Sequence, residues 1–308
     1  MLATIIVMLA NPQDLKAQSK KWYERIGIRE SFSEDESKQN PAILTFTLPK
    51  SQSNSYLIDA GLGYRLRSSA DGLRSGNLVA EYHRTNVTDG EVNNFQAGYK
   101  SILIFKKPIA GPLIQGAIPE YSTPRLNSTL KYRGDAIEGT RGAAAVFMLG
   151  FFQTGNSHKI WWNETRFSAS QRFHYIFSPE IGIEMQQNFQ ADSTKMKGFF
   201  GRPLARLGIG FGQSKPDPAH PGNRQKANEI WLFNVDAALR YDAFGKTGYT
   251  SSKYHPFIKT TLDFFLLYKP VSLIIGASFV YGDNPIDGFR EVKFKRQQFW
   301  LFGLKIQK

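Results

Sequence analysis

Residues 55–67 read Ser-Tyr-Leu-Ile-Asp-Ala-Gly-Leu-Gly-Tyr-Arg-Leu-Arg. Tyr56, Ile58, Ala60, Leu62, Tyr64 and Leu66 fall at every second position, and Leu57, Asp59, Gly61, Gly63 and Arg65 fill the places between. Side chains of a β-strand point alternately to its two faces, so this stretch predicts a strand with one apolar and one polar face. The same period recurs over 77–86, 93–105, 126–135, 173–189, 229–242, 256–268 and 291–306. In 229–242, for instance, Trp231, Phe233, Val235, Ala237, Leu239 and Tyr241 oppose Asn234, Asp236 and Arg240. Less regular stretches at 42–49, 142–152, 199–212 and 271–281 bring the expected count to about 12 antiparallel strands, and 159–167 is a candidate for one more. Turn residues at Asp89-Gly90, Lys269-Pro270 and Asp283-Asn284-Pro285 separate them. Only 15–29 invites a short helix.

The chain of 308 residues is 41% hydrophobic, too apolar for a disordered chain. Its longest candidate helical span, 264–282, is broken by Lys269-Pro270. It has no cysteine, which excludes disulfides, thiolate nucleophiles and Cys-based metal centres. At the N-terminus an apolar run over 2–10 is followed by Asn11-Pro12 and then Leu15-Lys16-Ala17-Gln18-Ser19. That order predicts a secretory signal over 1–18. Residues 19–308 then form a single domain, opened by a periplasmic segment at 19–40.

A one-face-polar sheet suits a soluble sandwich or a membrane barrel. The strand lengths, roughly 10 to 16 residues, exceed the usual globular mean of about 5–6 and reach the 9–11 that a tilted membrane strand needs. Opposite charges at mid-strand (Asp59 with Arg65, Asp236 with Arg240, Lys259 with Asp263) suit a wet, ion-paired lumen, and aromatic residues gather near strand ends. The alternating strands, the signal ending at Ala17-Gln18 and the final stretch Arg296-Gln-Gln-Phe-Trp-Leu-Phe-Gly-Leu-Lys-Ile306 together resemble a Gram-negative outer-membrane β-barrel. The resemblance covers nearly the whole chain after the signal. It implies an all-β transmembrane antiparallel barrel in the cell outer membrane, contacting outer-membrane lipid and lipopolysaccharide. It implies no particular function, and the chain ends Ile306-Gln307-Lys308 instead of on the aromatic residue usual in such barrels.

Two stretches break the pattern. Residues 142–152 are apolar on both faces, and their small Ala and Gly side chains fit a crowded lumen against which an inserted loop packs. Residues 107–124 carry Pro108, Pro112, Pro119 and Pro124 and read as a long apolar loop, either lying over the rim or serving as a lid, a plug or a docking surface for an envelope partner.

No phosphate loop, dinucleotide motif or metal-ligand spacing is present, so no cofactor is expected. His83 and Thr85, with Glu81 beside them, are spaced like the His and Ser of outer-membrane lipid A deacylases. Thr replaces Ser and His83 lies on the polar face, so a hydrogen-bonded lumen histidine is the stronger reading, and acyl hydrolysis stays a minor alternative. Glu180 and Glu184 stand about 13 Å apart along one strand, too far for a glycosidase pair.

Lys and Arg exceed Asp and Glu by 39 to 26, a net charge of +13. No basic helix or RNA-binding motif accompanies the excess, so no nucleic acid is expected. The residues expected to line the lumen are Asp59, Arg65, Glu81, His83, Lys131, Arg133, Arg202, Arg206, Asp236, Arg240, Lys259 and Asp263. Their basic balance predicts passage or binding of small anionic solutes. Asp135, Glu180 and Glu184 join the acids among them, and the same set fits a closed, ion-paired barrel serving as an accessory subunit. Lys215, Arg224 and Lys226 in the 213–227 loop suit lipopolysaccharide phosphates.

Overall fold

The computed structural model describes residues 25–29, 42–47, 55–68, 74–85, 92–105, 121–137, 139–154, 160–168, 172–190, 197–215, 228–245, 254–267, 272–282 and 297–307. They form one antiparallel sheet, and no α-helix occurs among them. Twelve strands carry the sheet: β2 (Ala42–Thr47), β3 (Ser55–Ser68), β4 (Arg74–Thr85), β5 (Val92–Ile104), β6 (Tyr121–Asp135), β7 (Thr140–Thr154), β9 (Phe173–Gln190), β10 (Gly198–Lys215), β11 (Asn228–Tyr241), β13 (Tyr254–Leu267), β14 (Ser272–Gly282) and β15 (Gln297–Gln307). Three short strands, β1 (Ile26–Arg29), β8 (Thr165–Phe167) and β12 (Phe244–Gly245), are added at its margins. The expected twelve strands are those found.

Each long strand pairs with the long strands before and after it in the chain. The last and first also meet, through Leu304↔Leu44, Lys305↔Ile43 and Ile306↔Ala42. Register puts polar residues beside polar ones: Gln96 lies opposite Arg133, Arg202 opposite Glu184, Arg206 opposite Glu180, and Asp236 opposite Lys259.

The two faces are inverted relative to a soluble protein. The polar face is buried: Asn94, Gln96 and Lys100 on β5, Thr129, Lys131 and Arg133 on β6, Glu180, Glu184 and Gln186 on β9. The apolar face is exposed: Leu78, Phe95, Leu149, Ile181, Phe211, Leu239, Phe264 and Ile275. Burying apolar area is what normally drives folding in water, so an exposed apolar face needs a non-aqueous neighbour or a partner.

Between β7 and β9 the sheet opens. Their pairing ends at Gly150↔Glu180, and the next β9 residue toward Phe173 is Pro179. Backbone groups two residues apart in a strand face the same neighbour, and the Phe177 carbonyl faces this gap, accepting from the Asn163 amide at 2.8 Å. Pro179 therefore brings no N–H to the β7 side, and the ladder stops there. Residues 160–168 fill the gap. Gln153 and Trp162 exchange backbone bonds of 3.0 and 3.2 Å, β8 pairs with β9, and the Asn163 side-chain amide donates to the Phe151 carbonyl at 2.7 Å. Trp162 stacks edge-on between Phe151 and Phe177, while Trp161 is buried.

The structure departs from the sequence reading in three places. The described part of 15–29 contains the strand β1, paired with β3 from Ile26↔Tyr64 to Arg29↔Gly61, and not a helix. The Pro-rich stretch 107–124 yields its last four residues to β6; Pro124 sits beside the end of β5, where its carbonyl accepts from the Phe105 amide and little ladder remains for its missing N–H to break. The candidate strand at 159–167 shortens to the three residues of β8. The expected signal at 1–18, the expected turn dipeptides and residues 107–120 lie outside the described residues.

Candidate functional site

The polar face converges on Glu184, midway along β9. Arg240 Nε donates to its Oε2 at 3.1 Å, Arg202 Nη1 donates to its Oε1 at 3.4 Å, and Arg133 Nη1 lies 4.0 Å from Oε1. These arginines come from β11, β10 and β6. Arg202 is opposite Glu184 in register, but Arg133 must cross β7 to reach it. The residues that β7 presents between them are Gly142 and Ala144, both buried, and Val146, which lies opposite Glu184. The small side chains at this end of 142–152 thus face long polar side chains reaching over them, and the inserted segment is met at the other end, by Gly150 and Phe151 at Asn163.

A second carboxylate extends the cluster. Arg202 Nε donates to Asp242 Oδ1 at 2.6 Å, and His255 Nε2 lies 2.9 Å from Asp242 Oδ2. Arg202 Nη1 also donates to Gln186 Oε1 at 3.3 Å, and Gln186 Nε2 to Asn188 Oδ1 at 2.7 Å. Each guanidinium is planar with several fixed donors, so one arginine can serve several acceptors at once, as Arg202 does for Glu184, Gln186 and Asp242.

Further along the face the contacts are more local. Asn127 Nδ2 donates to Glu180 Oε1, again across β7, and Arg125 holds both Asn127 Oδ1 at 3.2 Å and the Asn163 carbonyl at 3.4 Å. Arg125 thereby ties the inserted segment to the polar face. His174 Nε2 lies 3.5 Å from Glu229 Oε2 near the other ends of β9 and β11.

Of the residues expected to line an interior, Glu81, His83, Lys131, Arg133, Arg202, Lys259 and Asp263 are buried on the polar face. Arg206, Asp236 and Arg240 are half-buried on it. Arg65 is exposed, beside the register shift that ends regular β3–β4 pairing. Asp59 takes the register position between Ile43 and His83. His83 Nε2 lies 3.4 Å from Glu81 Oε2, and both are buried, facing away from the exposed apolar face. Lys215 is exposed at the end of β10, and Arg224 and Lys226 lie outside the described residues.

The sequence reading placed Glu180, Glu184 and Gln186 on the polar face without seeing that Glu184 is the hub, and it left out Asp242 and Arg125. Asp242 had a usable signal: it continues the every-second-residue series Asp236, Ala238, Arg240. Among the described residues no group of three or more His, Asp or Glu could hold a metal ion. Comparison with protein-family models, curated proteins and solved structures finds no match to this chain.

Proposed function

We propose that the chain is a membrane-spanning β-barrel of the Gram-negative outer-membrane kind, with a narrow interior that passes or binds small anionic solutes. The observation that carries the membrane reading is Ile181. It stands at the middle of β9 and is 66% exposed, while its polar neighbour Glu180 is 5% exposed. In a barrel the polar row faces the lumen and the apolar row faces lipid, which makes sense of both. Strands of 14 to 18 residues such as β3, β9, β10 and β13 are long enough to cross tilted. A partner strand on both edges of every long strand supports closure, which a bilayer demands of any sheet. Among the described residues no helix is long and apolar enough to cross a membrane, so crossing falls to the strands.

The anion reading rests on the three guanidinium groups around Glu184, with Lys131 and Arg206 on the same face. A low-dielectric channel lined by fixed positive charge favours anions and repels cations. Exposed Lys215 at the strand end suits lipopolysaccharide phosphate.

Two measurements test this reading. Unheated protein from the outer-membrane fraction runs faster on a detergent gel than boiled protein, as a closed barrel does. In planar bilayers under a salt gradient the reversal potential shows anion preference, and Arg206→Glu reduces it. Cation preference, or selectivity indifferent to Arg202→Glu and Arg206→Glu, overturns the solute reading. A second reading, a closed accessory barrel, is favoured by the near-complete burial of Arg133, Arg202 and Glu184. It predicts the gel shift without conductance, and co-purification of an envelope partner.

A further inference from the structure

Residues 160–168 form a small hairpin set into the wall. Trp162 pairs antiparallel with Gln153 of β7, and β8 pairs antiparallel with β9. Because β7 and β9 are themselves antiparallel, the chain reverses between Trp162 and Thr165, where Asn163 has its φ of 57°. β7 stays paired with β6 to its last residue, Tyr121↔Thr154, but β9 leaves it at Gly150↔Glu180. The hairpin thus stands in a notch that runs from that level to the strand ends. Its two sides are held unequally. Toward β9 its backbone makes a three-residue ladder, and the Asn163 and Ser168 amides donate to the Phe177 and Phe173 carbonyls at 2.8 and 2.7 Å. Toward β7 the backbone pairing is one isolated bridge, at Gln153. The Asn163 side chain pins the apex to Phe151, and Arg125 holds its carbonyl, yet Asn163 Oδ1 is buried with no hydrogen-bond donor among the described residues. A buried acceptor left without a donor costs free energy, so the docked apex is incompletely satisfied.

The notch is apolar on both sides of the wall. Outward, Phe151, Ile160 and Phe173 are exposed, and Trp162 lies between Phe151 and Phe177. Inward, Ile102 and Ile104 follow Lys100 at every second position of β5 and join Phe152 in a buried apolar cluster, and Trp161 and Ile176 are buried as well. We infer that 160–168 is a lateral gate: it parts from β7, stays on β9, and admits one alkyl chain of a single-chain amphiphile, such as a fatty acid, from the bilayer to the Ile102, Ile104 and Phe152 cluster. The inference rests on the membrane-barrel reading and needs nothing of the anion reading. Hydrocarbon is the neighbour of the outward side in that reading, and the inward cluster lets the chain remain among apolar groups as it passes. The ladder at Gly150↔Glu180 bounds the notch, which leaves room for one chain and not for a two-chain lipid.

The test uses the full chain refolded into lipid vesicles. The probe is dodecanoate carrying a photoreactive diazirine at its chain end, and mass spectrometry locates the label. Outward residues such as Ile181 and Phe211 take label in every protein, and in the wild type Ile102 and Ile104 take it too. The chain has no cysteine, so Gln153→Cys/Trp162→Cys gives a clean lock. These residues exchange both backbone bonds, which sets their Cα atoms about 5.5 Å apart, within reach of a disulfide. The oxidised variant loses the inward label and keeps the outward one, and reduction restores the inward label. Equal inward label in the oxidised and reduced proteins overturns the gate. Should the variant fail to fold, Asn163→Gly decides in its place: it releases the apex from Phe151 and raises the inward label, and an unchanged level is fatal. A diacyl phosphatidylethanolamine bearing the same diazirine labels the outward residues alone, and inward label from it at the dodecanoate level rules out the single-chain assignment. Outward label with no inward label in the wild type and Asn163→Gly sinks the gate and leaves the barrel reading standing. No label at Ile181 or Phe211 takes down the membrane reading, and the gate with it.

Discussion

His174 reaches Glu229 across the bare backbone of Gly212. The two side chains belong to β9 and β11, and β10 lies between them, with Gly212 opposite His174 in register. A Cβ on Gly212 would stand 2.5 Å from the His174 ring, closer than real contacts allow. Gly212→Ala therefore displaces the ring and breaks the pair, at a cost of roughly 1–3 kcal/mol, as overpacked sites show. Urea titration of the folded gel band measures it. Removing His174 as well, in His174→Ala/Gly212→Ala, recovers part of the loss, whereas an equal loss in both proteins would show that the ring is not what the new methyl meets.

Gly98 and Gly134 make an internal contrast. At Gly98 a Cβ would meet the Leu130 carbonyl at 2.1 Å and the Lys131 Cα at 2.7 Å, both backbone atoms that cannot swing aside. At Gly134 the nearest atom is 3.9 Å away. Gly98→Ala is expected to prevent or severely weaken folding, and Gly134→Ala to stay within about 0.5 kcal/mol of wild type, as benign surface changes do. Comparing folded yields on refolding into detergent checks both.

Ile181 separates lipid from water as the neighbour of the apolar face. In water, Ile181→Arg at a two-thirds exposed position is harmless. At the middle of a bilayer the same change costs about 2–4 kcal/mol. We expect Ile181→Arg to lower refolding into lipid vesicles by that amount, and Arg at an exposed strand end such as Phe173 to matter far less. Equal, negligible effects at both sites would point to an aqueous or protein neighbour.

Asn163 stands at φ 57°, in the left-handed region, and its side chain donates to the Phe151 carbonyl. Asn163→Ala loses that bond and also strains the backbone, by about 1–2 kcal/mol for the strain alone. Asn163→Gly loses the bond but not the backbone freedom. The expected order of stability is wild type, then Gly, then Ala, with faster amide exchange at Asn163 and Trp162. If the Ala protein matches the Gly protein, the backbone at Asn163 contributes nothing.

The strands were legible because alternation is a property of one stretch of chain at a time. Leu57 to Leu66 alone shows two faces, and twelve such stretches show a sheet. The polar row was legible for the same reason, down to Lys131, Arg133, Arg202 and Lys259. The Glu184 cluster was not, because it depends on which residue of β6, β10 and β11 lies level with Glu184, and register is set between strands. The β7–β9 opening left a trace in Pro179, whose meaning depends on which neighbour its nitrogen faces. Arg65 reads as an interior base from its parity, but the register shift after it leaves it exposed.

The junction of β15 with β2 joins residues 304–306 to 42–44, while the other long strands pair with their neighbours in the chain. Hairpins form quickly because their ends are already close, but this junction waits on an encounter across most of the polypeptide and gains only three paired residues when it happens. Maturation of the fold is therefore slowest at its last stitch. Until then β2 and β15 are both free edges, and a helper that guides this protein into place would act on them by holding the two ends together.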